Sequence, residues 1–412
     1  MPNTLPVPHV AVVGAGLGGL AAAGALLRVG ATVDVYEQAF ALREAGVGMH
    51  LGSNGSRLLF RWGLEEALRA VAVRPEALEV RAPDGRLLVR RPMGDTWEKE
   101  YGAPHLTVLR SDLHALLADR VPPGSFRLGA RLTSWTEDGD GVRLRFADGR
   151  QASADLVVGA DGVHSVVRRA VAGQELPVFS GSSALRGVVS AADVPGLAPD
   201  TMYMWVGPEA RLLVAPVDAG RRLTYVAILP ETGLVEESWS ATGDAAALAA
   251  AFDGWHDDVS SLVRVAGTPG RWALYDREPL PRWGSGRTTL LGDAAHPMLP
   301  HHGQGAGQAL EDAVALAHFL DGTPAGLRNY EKFRRPHTTL VQLGSRSGGA
   351  RKERPTADAP KGGAGGGLQQ VVDDLSWVHH YDVETALMEA AAEAERERSP
   401  RTSLASDTCP DV

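Results

Sequence analysis

The sequence predicts an α/β protein with a second, β-rich region, and three observations carry that prediction. A strand–turn–helix–strand unit fills His9–Glu37, with a glycine-rich turn at its centre. Two further buried strands, near Leu156–Gly159 and Thr288–Leu291, each run into a tight turn. Between them, from about Pro177 to Trp283, the chain becomes β-rich with polar turns, the natural place for a second domain.

The first unit defines a nucleotide site. Val10–Val13 is an apolar run suited to a strand buried on both faces. It ends at Gly14-Ala15-Gly16-Leu17-Gly18-Gly19, an Ala- and Leu-rich helix follows to about Val29, and the strand Thr32–Tyr36 delivers Glu37. Gly14 lets the chain turn sharply, Gly16 lets backbone approach a pyrophosphate, and Gly19 lets the helix pack closely on the sheet. The helix start, at Leu17, offers free N–H groups and the positive end of a dipole to phosphate. Glu37 stands where a carboxylate accepts hydrogen bonds from ribose hydroxyls. A GxGxxG alone is weak, because glycine-rich turns are common; the ordered set reads as a Rossmann-type site for a dinucleotide, FAD.

Whole-chain properties narrow the class. At 412 residues, 44% hydrophobic and 22% charged, the chain has the composition of an ordinary soluble protein. Forty-one basic against fifty acidic side chains give a net charge of −9, which argues against a nucleic-acid or acidic-membrane partner. The one cysteine, Cys409, leaves no internal disulfide framework and fits a reducing cytoplasm. Val10–Leu27 is apolar but lacks a basic n-region, and no other apolar run approaches the ~20 residues that span a bilayer. No His or Cys cluster has metal-ligand spacing, so no metal is expected.

Taken in order, the chain then offers a loop, Leu42–Leu51, whose Gly46 and Gly48 allow backbone to approach a flat ring. A helix is expected from Asn54 to Ala70 with a break near Gly63, then alternating short strands from Ala77 to Thr107 with a hairpin at Pro83-Asp84-Gly85. A helix opens after Leu109 with Ser111 or Asp112 as N-cap. Strands resume at Gly129–Glu137 and Val142–Ala147. Ala154–Arg169 repeats strand, turn and helix, and its plain structural reading makes Asp161 and Ser165 helix caps. One helical pair lies between Asp244 and Ala266. After Gly292-Asp293, His301–Gln308 leads to a helix over Ala309–Leu320. Arg346–Gly367 reads as a mobile loop, Val383–Arg396 as a last helix, and the tail as disordered.

Three motifs in this order, GxGxxG at Gly14, DGxxSxxR at Asp161–Arg168 and GDAAHPMLP at Gly292–Pro300, resemble the signatures of class A flavoprotein monooxygenases. Glu37-Gln38, Leu42-Arg43-Glu44, Gly46–Gly52, Arg186-Gly187, Trp272–Arg277, Arg334-Arg335-Pro336, Ser345-Arg346 and Trp377–Asp382 narrow the resemblance to the salicylate hydroxylase and 6-hydroxynicotinate monooxygenase branch. It covers about Val10–Glu384. The resemblance implies a p-hydroxybenzoate hydroxylase-like fold, in which a Rossmann-type FAD-binding domain is interwoven with a β-sheet substrate domain. The expected partition is FAD-binding segments 1–76, 108–176 and 285–345, substrate-domain segments 77–107 and 177–284, and a C-terminal loop, helix and tail over 346–412. It further implies FAD, NADH or NADPH and dioxygen, a flavin C4a-hydroperoxide, and hydroxylation of a small aromatic or heteroaromatic substrate by a cytoplasmic monomer or homodimer.

Carried onto this sequence, Gly14, Gly16, Leu17 and Gly19 meet the pyrophosphate, and Glu37 and Gln38 the ribose region. Arg43 and Arg110 resemble FAD-contacting arginines, Val47 and Gly48 approach the ring, and Leu132 lies where backbone meets adenine. Asp161 and Gly162 belong to the motif associated with FAD and nicotinamide; Gly292 and Asp293 serve the ribityl or pyrophosphate region, and Pro300 lies beside the ring. Gly303, Gly305 and Ala306 have an independent rationale. Reduced flavin carries negative charge near N1 and the C2 carbonyl, which a helix start with exposed N–H groups stabilises.

The general base is less clear. This branch often places a His and a Tyr on the strand matching Arg211–Pro216; here those places hold Arg211 and Ala215. His50 and His301 are the alternative catalytic candidates, His302 a substrate contact, and His296 a structural residue. Arg186 and Arg211 are candidates to hold a substrate carboxylate in bidentate fashion, with Tyr225 and Trp205 lining the cavity, although strand aromatics are more often core. Two other readings stay open: epoxidation or ring-modifying oxygenation of a larger non-phenolic substrate, with Ala215 making room, and a flavin-binding reductase or sensor that oxygenates nothing.

Overall fold

The computed structural model describes residues 7–42, 46–139, 141–173, 176–231, 241–348 and 375–398. In chain order, β1 (His9–Val13), α1 (Leu17–Arg28) and β2 (Thr32–Tyr36) form the first unit. There follow β3 (Gly48–Leu51), α2 (Ser53–Arg61), α3 (Glu65–Val71), β4 (Ala77–Arg81), β5 (Leu87–Pro92), α4 (Gly94–Tyr101), β6 (Leu106–Leu109), α5 (Arg110–Ala118) and β7 (Phe126–Arg127). Next come β8 (Leu132–Asp138), β9 (Gly141–Phe146), β10 (Gln151–Ala154), β11 (Leu156–Gly159) and α6 (Val166–Ala172). The middle of the chain holds β12 (Val178–Ser190), β13 (Thr201–Val206), β14 (Arg211–Val217), β15 (Arg222–Pro230), α7 (Ala245–Ala251), α8 (Asp257–Val265) and β16 (Gly270–Asp276). The chain closes with β17 (Thr288–Leu290), α9 (Gly305–His318), α10 (Pro324–Gly344), α11 (Ser376–His380) and α12 (Val383–Arg398).

The nucleotide sheet has the strand order β17-β11-β1-β2-β7, and every pairing in it is parallel. That is why Val10–Val13 and Leu156–Gly159 read as unbroken apolar runs, since helices cover both faces. Gly14, at φ +104°, makes the turn into α1, and a Cβ added at Gly19 would lie 2.0 Å from the Gly14 carbonyl oxygen. Only backbone movement would relieve that clash. Gly19→Ala is therefore expected to destabilise the protein by about 1–3 kcal/mol, read as a lower midpoint in denaturant unfolding.

A second sheet, ordered β16-β12-β15-β14-β13-β4-β5, joins strands 77–92 to strands 178–276. The β4–β5 hairpin enters through a parallel pairing with β13, so two distant stretches share one sheet and the two domains are interwoven. Strand alternation divides its residues. Trp205, Leu212, Val214, Tyr225 and Ala227 face α7 and α8, where Leu248, Phe252, Val259 and Leu262 complete a core. Arg211, Leu213 and Ala215, with their paired neighbours Thr224, Val226 and Arg186, point the other way, toward the nucleotide sheet.

The structure corrects several local expectations. Met93 to Tyr101 is not strand: Trp97 and Tyr101, four residues apart, are buried on one face of α4. The break expected near Gly63 in the Asn54–Ala70 helix is present, with α2 ending at Arg61, Gly63 at φ +76° and α3 starting at Glu65. Neither Ser111 nor Asp112 caps α5, which starts at Arg110 straight after β6. Helix α9 begins at Gly305 rather than Ala309, because its glycines pack: a Cβ at Gly55 would be 3.5 Å from the Gly307 Cα. The expected loop over Arg346–Gly367 lies mostly, and the tail beyond Arg398 wholly, outside the described residues.

Candidate active site

One end of the candidate site is built from the start of α1 and a bracing network. Helix α1 begins after Gly16 with no side-chain cap and no acid in its first turn, and a Cβ on Gly16 would meet nothing within 4 Å. Exposed N–H groups thus face open space, as an anion requires. Glu37 holds the turn from behind, its carboxylate accepting from Ala15 N at 2.9 Å and Ala39 N at 2.8 Å. His114 adds a 2.7 Å contact from Nε2 to the Ala15 carbonyl. Gln38 is exposed beside Glu37, whereas Leu17 and Leu132 are buried in the core. Arg43 lies outside the described residues.

The second and third motifs meet next to this turn. The Asp161 carboxylate accepts from Val166 N at 2.7 Å and Val167 N at 3.3 Å, and Ser165 Oγ accepts from Arg168 N at 2.8 Å. These side chains are helix caps, as their structural reading holds, and Gly162 turns the chain at φ +73°. Arg168 then donates to the Asp293 carbonyl at 3.1 Å, joining the two motifs. Gly292 sits at φ +61°, leaving the Asp293 side chain exposed.

The other end of the candidate site, where the resemblance would put a flat ring, lies between three segments. Gly48 N–H donates to Thr224 Oγ1 at 3.1 Å, and a Cβ there would lie 2.3 Å from Thr224 Cγ2, so only glycine allows the approach. Arg110 N–H donates to the Val47 carbonyl at 2.8 Å, pinning the same loop to the start of α5. Opposite, Pro300–His302 form a short turn ending at Gly303, φ +61°, and α9 begins at Gly305 without a side-chain cap or an acid in its first turn. A Cβ on Gly303 would be 3.3 Å from His50 Cβ, which brings the two ring-side loops together. Two uncapped helix starts, glycines at each close approach and an exposed Asp293 fit a dinucleotide with a flat ring. Among the described residues, no group of three or more His, Cys, Asp or Glu side chains is placed to hold a metal ion.

Of the reactive candidates, the structure brings Arg211 and His301 together, with His50 beside Gly303. Arg211 Nη2 lies 3.3 Å from His301 Nδ1, and its buried Nε has no partner. Burial holds the Arg211 guanidinium below its usual pKa; burial first and Arg211 second push His301 down to about 3. His301 is therefore neutral beside a fixed cation. Burial alone takes His50 down to about 4, so it too is an unprotonated base at neutral pH. Arg186 lies on the same sheet face as Arg211, with its guanidinium 5.6 Å from the Trp272 ring centre.

Other candidates do not reach the cavity. Tyr225 and Trp205 are fully buried in the core behind the sheet, because the alternation that turns Thr224 toward Gly48 turns Tyr225 away. His302 turns to the end of α10, where a Cβ on Gly344 would lie 3.5 Å from its Cε1. Ala215 leaves no free room either: it is fully buried with Met93, Trp97 and Met202.

Sequence reasoning passed over the supports of this site. Asn54 Nδ2 donates to Gln304 Oε1 at 3.1 Å and Glu311 Oε1 at 2.6 Å. Arg334, fully buried, lies 2.8 Å from both Glu311 and Asp312, and His296 Nε2 lies 2.6 Å from Asp312. Burial raises Glu311, outweighing Arg334; at Asp312 burial also acts upward, but His296 and Arg334 prevail and hold it at about 2. The signal available was the Glu311-Asp312 pair within an apolar helical pattern, since acids there need partners.

The comparisons agree with this geometry. The family described as FAD binding domain matches residues 8–343. The 3-amino-4-hydroxybenzoate 2-monooxygenase of Streptomyces platensis is 40% identical over 386 residues, covering 91% of this chain and 96% of that protein. The 6-hydroxynicotinate 3-monooxygenase of Bordetella bronchiseptica is 39% identical, covering 81% and 90%. A salicylate hydroxylase substrate complex superposes with a TM-score of 0.77 at 28% identity, over 93% of this chain and 98% of that one. The chain belongs to the FAD-binding family and, within it, to the class A flavin aromatic monooxygenases. It is an FAD-dependent, NAD(P)H- and dioxygen-consuming hydroxylase of small aromatic or heteroaromatic compounds.

Proposed function

We propose that the substrate is an aromatic carboxylate bearing an ionisable ring hydroxyl. Arg211 holds its carboxylate, and His50 takes the proton of its hydroxyl. The observation that carries this is Arg211 itself: a half-buried guanidinium on the ring-facing side of the sheet, with an unpartnered Nε and, among the described residues, no carboxylate in ion-pair contact. A buried cation without a counter-charge is costly, and a substrate carboxylate removes that cost. Support also comes from the names of two relatives, whose substrates, 3-amino-4-hydroxybenzoate and 6-hydroxynicotinate, carry both groups. FAD, when bound, supplies hydride acceptance from NAD(P)H and the activation of dioxygen.

The remaining assignments follow the same geometry. Gly14, Gly16, Gly19, Glu37 and Gly292-Asp293 hold the nucleotide; Val47-Gly48, Pro300 and Gly303–Ala306 hold the ring; Arg186 with Trp272 walls the substrate side. The partition into segments near 76, 107, 176 and 284 belongs to this proposal, as do a monomeric or homodimeric state and a cytoplasmic location. No helix among the described residues is long and apolar enough to cross a membrane. The larger-substrate reading is disfavoured by the side chains that fill the space beside Ala215.

The test is turnover of 3-amino-4-hydroxybenzoate, 6-hydroxynicotinate and their carboxamides under labelled dioxygen, with the unaltered protein and with Arg211→Met. The unaltered protein is expected to prefer a carboxylate, and Arg211→Met to raise its KM about 10–150-fold, as for charged hydrogen bonds of roughly 1.5–3 kcal/mol. The carboxamide KM should barely change. An unchanged carboxylate KM in Arg211→Met would overturn the assignment.

A further inference from the structure

The Nδ1 of His50 is not aimed at the substrate side. It lies 3.3 Å from Nε2 of His105, in the short loop between α4 and β6. His105 is enclosed by groups from four elements: His50 of β3, Arg91 of β5, Trp97 of α4, and His379 of α11. Its other nitrogen, Nδ1, is buried without a partner among the described residues, and so is Nδ1 of His379, whose ring centre is 6.1 Å away. His379 sits against the start of α2, where Arg57 donates to its carbonyl at 3.3 Å; the next residue, His380, is exposed and stacks edge-on with Tyr101 at 4.6 Å.

Three imidazoles thus lead from the ring-side loop toward the surface, and two carry unsatisfied buried nitrogens, which a purely structural cluster would have satisfied. We infer that His105 is the positioning residue through which His50 disposes of the substrate proton. The inference rests on the reading of His50 as base.

The proton balance is simple. The substrate O–H bond breaks and a bond to His50 Nε2 forms; His50 Nδ1–H passes to His105 Nε2; His105 then gives up its Nδ1 proton outward. One proton leaves and no electrons move. Charge cannot rest on His105, since burial first, and then His50, His379 and Arg91, hold its pKa well below that of an ordinary imidazole. His379 is likewise held down, at about 3, by burial and by Arg91, His380 and Arg57, so neither ring stores the proton.

The experiment uses the FAD-loaded full chain, mixed in weak buffer with 3-amino-4-hydroxybenzoate or 6-hydroxynicotinate and a pH-indicator dye. Proton release is followed beside the absorbance of the bound phenolate. His105→Gln and His105→Phe, one polar and one apolar, guard against a packing artefact, and FAD content and thermal midpoint check the fold. Both variants are expected to bind the probe within about 2–3-fold of the unaltered protein while releasing the proton at least about tenfold more slowly. Release at the unaltered rate in both variants, with His50→Ala defective, overturns the inference and leaves His50 as base. Release at the unaltered rate in His50→Ala, or binding of neither probe, overturns the underlying reading and the inference together.

Discussion

Replacing Arg334 by methionine is expected to destabilise the protein by about 3–5 kcal/mol, the largest stability effect of any single side chain in the site's support. Arg334 lies between Glu311 and Asp312 at 2.8 Å from each, and all three are essentially inaccessible to water. Methionine fills most of the volume but leaves two neighbouring carboxylates without their cation. They can then relieve the repulsion only by taking up protons, so the deficit relative to the unaltered protein should be larger at pH 8 than at pH 5. Denaturant unfolding at the two pH values measures it, and Arg334→Met/Glu311→Leu should regain part of the loss. A deficit below about 1 kcal/mol at pH 8 would mean that the network does not hold α9. Because α9 starts at Gly305, Arg334→Met should also loosen FAD binding although it stands outside the cofactor site.

How much of this could be read from the sequence depends on whether the signal was local. The nucleotide turn was legible because Gly14, Gly16 and Gly19 each answer a constraint set within a few residues of themselves, and a parallel strand buried on both faces declares itself in Val10–Val13. The interweaving of the domains came from the resemblance; no local pattern in β4 announces that it pairs with β13, more than a hundred residues later. Arg211 was nameable as an arginine on a strand, but that no described carboxylate pairs with it follows only from how distant segments assemble. Tyr225 shows the opposite failure. Its neighbour Thr224 faces Gly48, and in a strand a shift of one residue reverses the face, so a register no sequence rule fixed turned a cavity candidate into core. His105 belongs to no motif and His379 only to the Trp377–Asp382 stretch, and the two meet because α11 folds back over α4, held by Arg57 and Arg61 on α2.

Replacing His50 by alanine should leave FAD bound and lower kcat by about 10²–10⁴-fold at pH 7, the usual range for loss of a general base. The pH dependence separates this from a packing defect. With His50 present, the base is neutral from about pH 4 upward, so kcat should be flat between pH 6 and 8 rather than following an ordinary imidazole. Without it, the hydroxyl must lose its proton to solvent. The residual rate should then climb with pH, tenfold per unit, toward the pKa of the hydroxyl, near 10 for an unperturbed phenol. Stability limits the range in which this can be read. A histidine whose folded pKa is depressed binds its proton first in the unfolded chain, so stability is complete above about 6.5 and falls as the pH drops toward 4. His301, His337 and His379, each held near 3 by burial, act in the same direction over the same window. Rates are therefore best compared from pH 6 to 9, in the protein and in His50→Ala. A residual His50→Ala rate that does not rise with pH would show that His50 shapes the cavity rather than taking the proton, and His301, beside Arg211, would be the base to test next.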